Sequence, residues 1–98
     1  MKESQFQKNC IDRIKTEFPG CMVLKNDSGY LQGIPDFLVL HNNRWAALEF
    51  KRAKEAAHRP NQDYYVSKMN GMSYASFVDP SNVEEVMNGL QEALGSEG

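Results

Sequence analysis

The sequence predicts an α/β fold, one mixed sheet covered by helices in the order α-β-β-β-α-β-α, on three observations. Apolar residues recur at helical spacing in two segments, near the N-terminus and near the C-terminus. Two apolar runs, 34–40 and 45–51, flank the turn-forming stretch His41-Asn42-Asn43-Arg44. Pro19-Gly20, Asn70-Gly71 and Asp79-Pro80 punctuate the rest. At 98 residues, 41% apolar and 24% charged, the chain suits one domain, 1–98, with one core.

Taken in order, residues 3–18 form the first expected helix. Phe6, Cys10, Ile14 and Phe18 recur four apart, Ile11 widens the stripe, and Pro19-Gly20 stops it. Residues 21–24 make a short apolar strand, followed by a polar loop from Lys25 to Gly33. The two runs of the hairpin alternate Phe37 and Val39 with Leu38 and Leu40; apolar side chains on both faces imply a central, covered position in the sheet. Pro60 suits the first turn of a second helix that carries Tyr64, Tyr65 and Met69 and ends at Asn70-Gly71. Residues 73–78 alternate as a strand. A third helix follows, with Ser81 and Glu84 at capping-box spacing and an apolar stripe of Val83, Val86, Met87, Leu90 and Leu94.

The hairpin carries the chemistry. With Asn42 and Asn43 at its tip, Asp36 falls opposite Glu49, and directly opposed residues have Cβ atoms about 4.5–5.5 Å apart. Two carboxylates so placed repel each other inside otherwise apolar strands and call for a cation between them. Because side chains alternate faces, Lys51 projects on the side of Glu49 while Leu48 and Phe50 project to the other. Taken singly, each residue has a plainer reading: a turn acid at Asp36, an exposed pair at Glu49 and Lys51. Taken together they point to a divalent metal site.

Charge is unevenly spread. Residues 1–75 hold every Lys and Arg and carry +3, whereas 76–98 hold only acids and carry −5, for a net −2. Bulk attraction therefore does not mark the chain as a nucleic-acid binder, but the last helix is expected to face away from any polyanion. Arg52, Lys54 and Arg59, with Lys51 and His58, form either a phosphate-contacting cluster or a solvated charged loop. His41 and His58 are expected at the surface, and no His or Cys spacing indicates zinc. Cys10 and Cys21 read as small core residues, and Trp45 as a cover for the core or hairpin. There is no membrane-length apolar run and no signal-peptide pattern, so a cytoplasmic setting is expected. Phosphate-binding loops, nucleophile elbows and dinucleotide fingerprints are lacking, which leaves NTP hydrolysis, acyl transfer and redox chemistry without support.

Gly33-Ile34-Pro35-Asp36, then Leu48-Glu49-Phe50-Lys51-Arg52, then Gln62 in a following helix, with Gly71 and a strand after it, resemble the PD-(D/E)XK nuclease superfamily. Within it the chain resembles the small stand-alone VRR-NUC-type nucleases associated with phages and mobile elements. The resemblance spans most of the chain. It implies a restriction-endonuclease-like core and a DNA endonuclease that depends on Mg²⁺ or Mn²⁺, structure-specific in the manner of Holliday-junction resolvases or nicking. Asp36 and Glu49 would ligate the metal, with the Phe50 carbonyl as a further ligand, in keeping with the oxygen preference of hard cations. Lys51 would orient or deprotonate the attacking water or stabilise charge on the phosphate, and Gln62 would hold the water, the lysine or a phosphate. A first-helix glutamate near the metal is part of the pattern; Glu3 suits it better than Glu17, which sits at the helix end. Ser28-Gly29-Tyr30 resembles a loop that approaches the substrate backbone, which adds Lys25, Ser28 and Tyr30 to the DNA contacts. Branched or nicked DNA is the expected partner, together with a second copy of the chain, because a four-way junction needs two symmetric cuts. The competing function is a nuclease-fold module that binds DNA or protein without cutting.

Overall fold

The computed structural model describes residues 2–27 and 29–95. The elements are α1 (Glu3–Glu17), β1 (Met22–Lys25), β2 (Phe37–His41), β3 (Arg44–Phe50), α2 (Gln62–Met72), β4 (Tyr74–Val78) and α3 (Val83–Leu94). The order is the one the sequence patterns predict. The strands form one sheet, β1-β2-β3-β4, antiparallel through β3 and parallel from β3 to β4, with α2 as the crossover. No helix among the described residues is long and apolar enough to cross a membrane.

The two-residue tip sets the hairpin register. Asn42 sits in the left-handed region at φ 58°, which asparagine tolerates, and His41 pairs with Arg44. The ladder then runs through Val39 opposite Ala46 to Phe37 opposite Leu48. Continued by one rung, it sets Asp36 across from Glu49. The first run of the hairpin is shorter than its apolar character suggests: Ile34 donates to the Leu31 carbonyl in a turn, Pro35 has no N–H to offer a ladder, and pairing begins at Phe37.

Alternation sorts the sheet into two faces. Phe37, Val39, Ala46, Leu48, Phe50 and Val78 face α1 and α3 and pack with Phe6, Cys10, Ile14, Phe18, Val86, Met87, Leu90 and Leu94. Edge-on contacts of Phe50 with Phe6 and Phe37, at ring centroids 6.0 and 5.5 Å, anchor the end of β3 in this core. On the other face α2 covers only β3 and β4, where Val66 packs on Ala47 and Ala75 with Met69, Phe77, Leu38 and Trp45 around them. The expected two-sided cover is therefore complete on one face and partial on the other, since Met22 and Leu24 on β1 stay exposed. The acidic α3 lies on the face opposite α2.

Three local expectations change. His41 is buried, not exposed, because the ladder that fixes the tip turns its ring edge-on to Phe18 at 5.6 Å. Helix α2 begins at Gln62, after Asn61 at φ 72°, so Pro60 precedes the helix instead of lying in its first turn. The Ser81–Glu84 capping box does not form: Asn82 occupies the cap, and the Asp79 carboxylate takes the Ser81 N–H and hydroxyl while the Asn82 side chain takes the Asp79 N–H. An aspartate-centred turn out-competes the box for the same donors.

Candidate metal and phosphodiester site

Three parts of the chain converge at the end of the sheet where β2 begins and β3 stops. Asp36 precedes β2, Glu49 ends the α2-facing side of β3, Lys51 follows it, and Gln62 opens α2. They line one cavity of about 550 Å³ together with Glu3, Gly33, Phe50 and Arg59. Glu49 is 3% exposed, Gln62 7% and Lys51 8%, so the cavity floor is polar yet withdrawn from water.

These side chains form a relay. Lys51 Nζ donates to Gln62 Oε1 at 2.7 Å and to the Ala57 carbonyl at 3.2 Å. Gln62 Nε2 donates to Glu49 Oε2 at 3.1 Å, and Gln62 Oε1 also accepts the Arg59 N–H at 2.8 Å. The amide is thereby locked in one orientation, since its oxygen faces donors and its nitrogen a carboxylate. Asp36 Oδ2 accepts a long bond, 3.4 Å, from the Phe50 N–H.

One atom is left over. Glu49 Oε1 is buried with no hydrogen-bond partner. Burial first, and then the close negative charge of Asp36, push the Glu49 carboxyl up to about 8, against the opposing pull of Lys51. A buried carboxylate with an orphaned oxygen beside a half-buried one can be satisfied in two ways: a proton bridging the pair, or a cation. Oxygen donors of this type fit a hard divalent ion, whose remaining positions water and phosphate fill. Among the described residues no group of three or more His, Cys, Asp and Glu side chains converges to cage a metal.

The other expected residues divide. Glu3 lines the cavity and accepts from Gln7 at 3.2 Å, whereas Glu17 is bound to Arg13 at 2.8 Å and borders a separate hollow beside His41. Arg59 stands at the cavity wall. Arg52 and Lys54 are exposed on the 51–61 segment, and Lys25 is exposed with its Nζ 6.0 Å from the Phe37 ring centre. Tyr30, 88% exposed, sits on the loop before β2, outside the cavity. Ser28 lies outside the described residues. Sequence patterns missed the Ala57 carbonyl and the Arg59 N–H, because backbone groups leave no side-chain signal. They also gave no reason for Gly33: at φ 92°, a Cβ there would stand 2.6 Å from Asn61 Cβ and 2.8 Å from the Pro60 carbonyl. The loop before Asp36 thus rests directly on the turn before Gln62.

A solved structure described as a VRR_NUC domain superposes on 88% of this chain and 94% of its own, with a TM-score of 0.70 and 22% identity. The fold is that of a VRR_NUC domain. The likeness is one of architecture: no protein-family model matches the sequence, and no curated protein does. In this VRR_NUC fold, Asp36, Glu49, Lys51 and Gln62 lie at one end of the hairpin, on the side covered by α2.

Proposed function

We propose that the chain is a divalent-metal-dependent DNA endonuclease that hydrolyses phosphodiester bonds, acting on branched or nicked duplexes. The observation that carries this reading is the buried, unpartnered Glu49 Oε1 beside Asp36, in a cavity where a buried lysine completes the polar floor. Asp36 and Glu49, with the Phe50 carbonyl and Glu3 at the cavity wall, would hold Mg²⁺ or Mn²⁺, which supplies positive charge for the phosphate and lowers the pKa of water. Lys51 Nζ, fixed by Gln62 and Ala57, keeps one donor direction for a water or a phosphate oxygen. Gln62 ties that lysine to Glu49, so the two charged groups cannot drift independently. Arg59, Arg52 and Lys54 extend positive charge away from the cavity along the 51–61 segment, while α3 holds its acids on the opposite face.

The same reading takes the working unit to be a homodimer, as two symmetric cuts require. It is favoured by the uncharged strip that α2 leaves open, where exposed Met22 and Leu24 pair across strands with half-buried Leu40 and Leu38. Purified protein with Mg²⁺ or Mn²⁺ on linear, flapped, mismatched and four-way DNA tests the activity. Unchanged cleavage by Asp36→Ala would sink the mechanism, and a monomer by light scattering would remove junction resolution.

A further inference from the structure

We propose that His58 is a positioning residue, clamping the 51–61 segment so that its backbone holds Lys51 and Gln62 in place. The segment has no helix or strand, and apart from Ala53 and Ala56 its residues from 52 to 61 are exposed. Within itself it has one turn, Ala56 N–H to the Ala53 carbonyl at 3.1 Å, and a link into α2 from the Gln62 N–H to the Arg59 carbonyl at 3.2 Å. Yet two of its backbone groups serve the site: the Ala57 carbonyl accepts Lys51 Nζ, and the Arg59 N–H binds Gln62 Oε1. Both belong to the immediate neighbours of His58.

His58 supplies the anchor. Its ring stacks on Phe77 with centroids 3.9 Å apart and planes 17° from parallel, and its Nδ1 lies 2.7 Å from Asp63 Oδ1 in the first turn of α2. Phe77 is the β4 residue paired with Glu49. The ring is therefore fixed against the strand beside the buried carboxylate and, through Asp63, against the helix that begins with Gln62. Without it the segment is tied to the site chiefly by the bonds it is meant to hold. His58 does not line the site cavity, so it reaches Lys51 and Gln62 through the backbone of its neighbours.

The kinetic arm of the test rests on the nuclease reading; the exchange arm does not. In the full-length protein, His58→Ala should raise amide hydrogen exchange at Arg59 by about tenfold, and His58→Phe, which keeps a ring for Phe77, should return it towards the wild-type rate. Cleavage should show kcat down by about tenfold with KM for DNA unchanged in His58→Ala, again recovered in His58→Phe. Unchanged Arg59 exchange in His58→Ala overturns the proposal, whether or not the melting temperature falls. So does a raised KM with kcat intact, the mark of a DNA contact. If the wild type cuts none of the substrates, the nuclease reading fails and the Arg59 exchange alone decides the role of His58.

Discussion

The two faces of the sheet solve opposite problems. Against α1 and α3, large apolar side chains interlock: Leu48, Phe50, Ile14, Phe18, Leu90 and Leu94 are almost wholly withdrawn from water. Burial of this kind is the main favourable term in folding, and close packing makes each methylene count. Against α2, the buried apolar residues are few and small, Ala47, Ala75 and Val66, and beside them lie Glu49 on β3, Lys51 just after it and Gln62 at the start of α2. Burying charge there costs free energy that the packing of that face does not recover, so the apolar face must carry the fold while the polar face carries the site. Phe50 and Glu49, adjacent in sequence and opposite in direction, are where the two meet.

Substitutions should separate the faces. The largest effect is expected at Asp36→Ala: cleavage falls by at least about 10³-fold, with the thermal midpoint unchanged or raised because a repulsive partner of Glu49 is gone. A circular-dichroism melt alongside a cleavage assay checks both halves. Leu90→Ala on the apolar face should do the reverse, lowering unfolding free energy by about 3 kcal/mol in urea while kcat per folded molecule stays constant. Val66→Ala, on the thinner face, should cost less than half of that.

The metal-free protein should respond to pH through Glu49. Its carboxyl is raised from 4.5 to about 8 in the folded chain, so between those values the native state holds a proton that the unfolded chain releases. The associated stability is full below pH 4.5 and is lost as pH rises through 8, by about 3 to 4 kcal/mol between pH 5 and 8. Glu49→Gln should flatten that slope, and saturating Mn²⁺ should reverse it; parallel melts across pH with and without metal decide. The smallest effect is expected at Gly33→Ala, where the added methyl meets Asn61 and Pro60 in a backbone conformation that disfavours alanine. Rate should fall about tenfold as Gln62 shifts from Glu49, with more than about 1 kcal/mol lost in stability.

How legible each part was in the sequence follows from where its signal resides. Helices α1 and α3 announce themselves because their apolar stripes match the core they face, and Asn42-Asn43 between two apolar runs gives the hairpin and its register. Asp36 opposite Glu49 follows from that register alone. The apolar run places the start of β2 too early because Ile34 and Pro35 are apolar for a turn, not for a ladder. The turn beside His41 suggests a surface residue, although strand alternation alone puts it with Phe37 and Val39 on the core side. The Ser81 cap was a motif match that Asp79 outbid. Nothing in side-chain pattern could announce the Ala57 carbonyl, the Arg59 N–H or the meeting of Gly33 with Asn61, since each arises when distant backbone segments touch.

The tip of the hairpin has a role at a distance. Asn42 lies six residues from Asp36 along a strand that rises about 3.3 Å per residue, so a two-residue loop acts as a gauge for the proposed site nearly 20 Å away. A slip of one residue would turn Asp36 towards α1 and α3 and leave Glu49 with no carboxylate across from it. Loop tips usually tolerate changes of length; this one is part of the site's calibration.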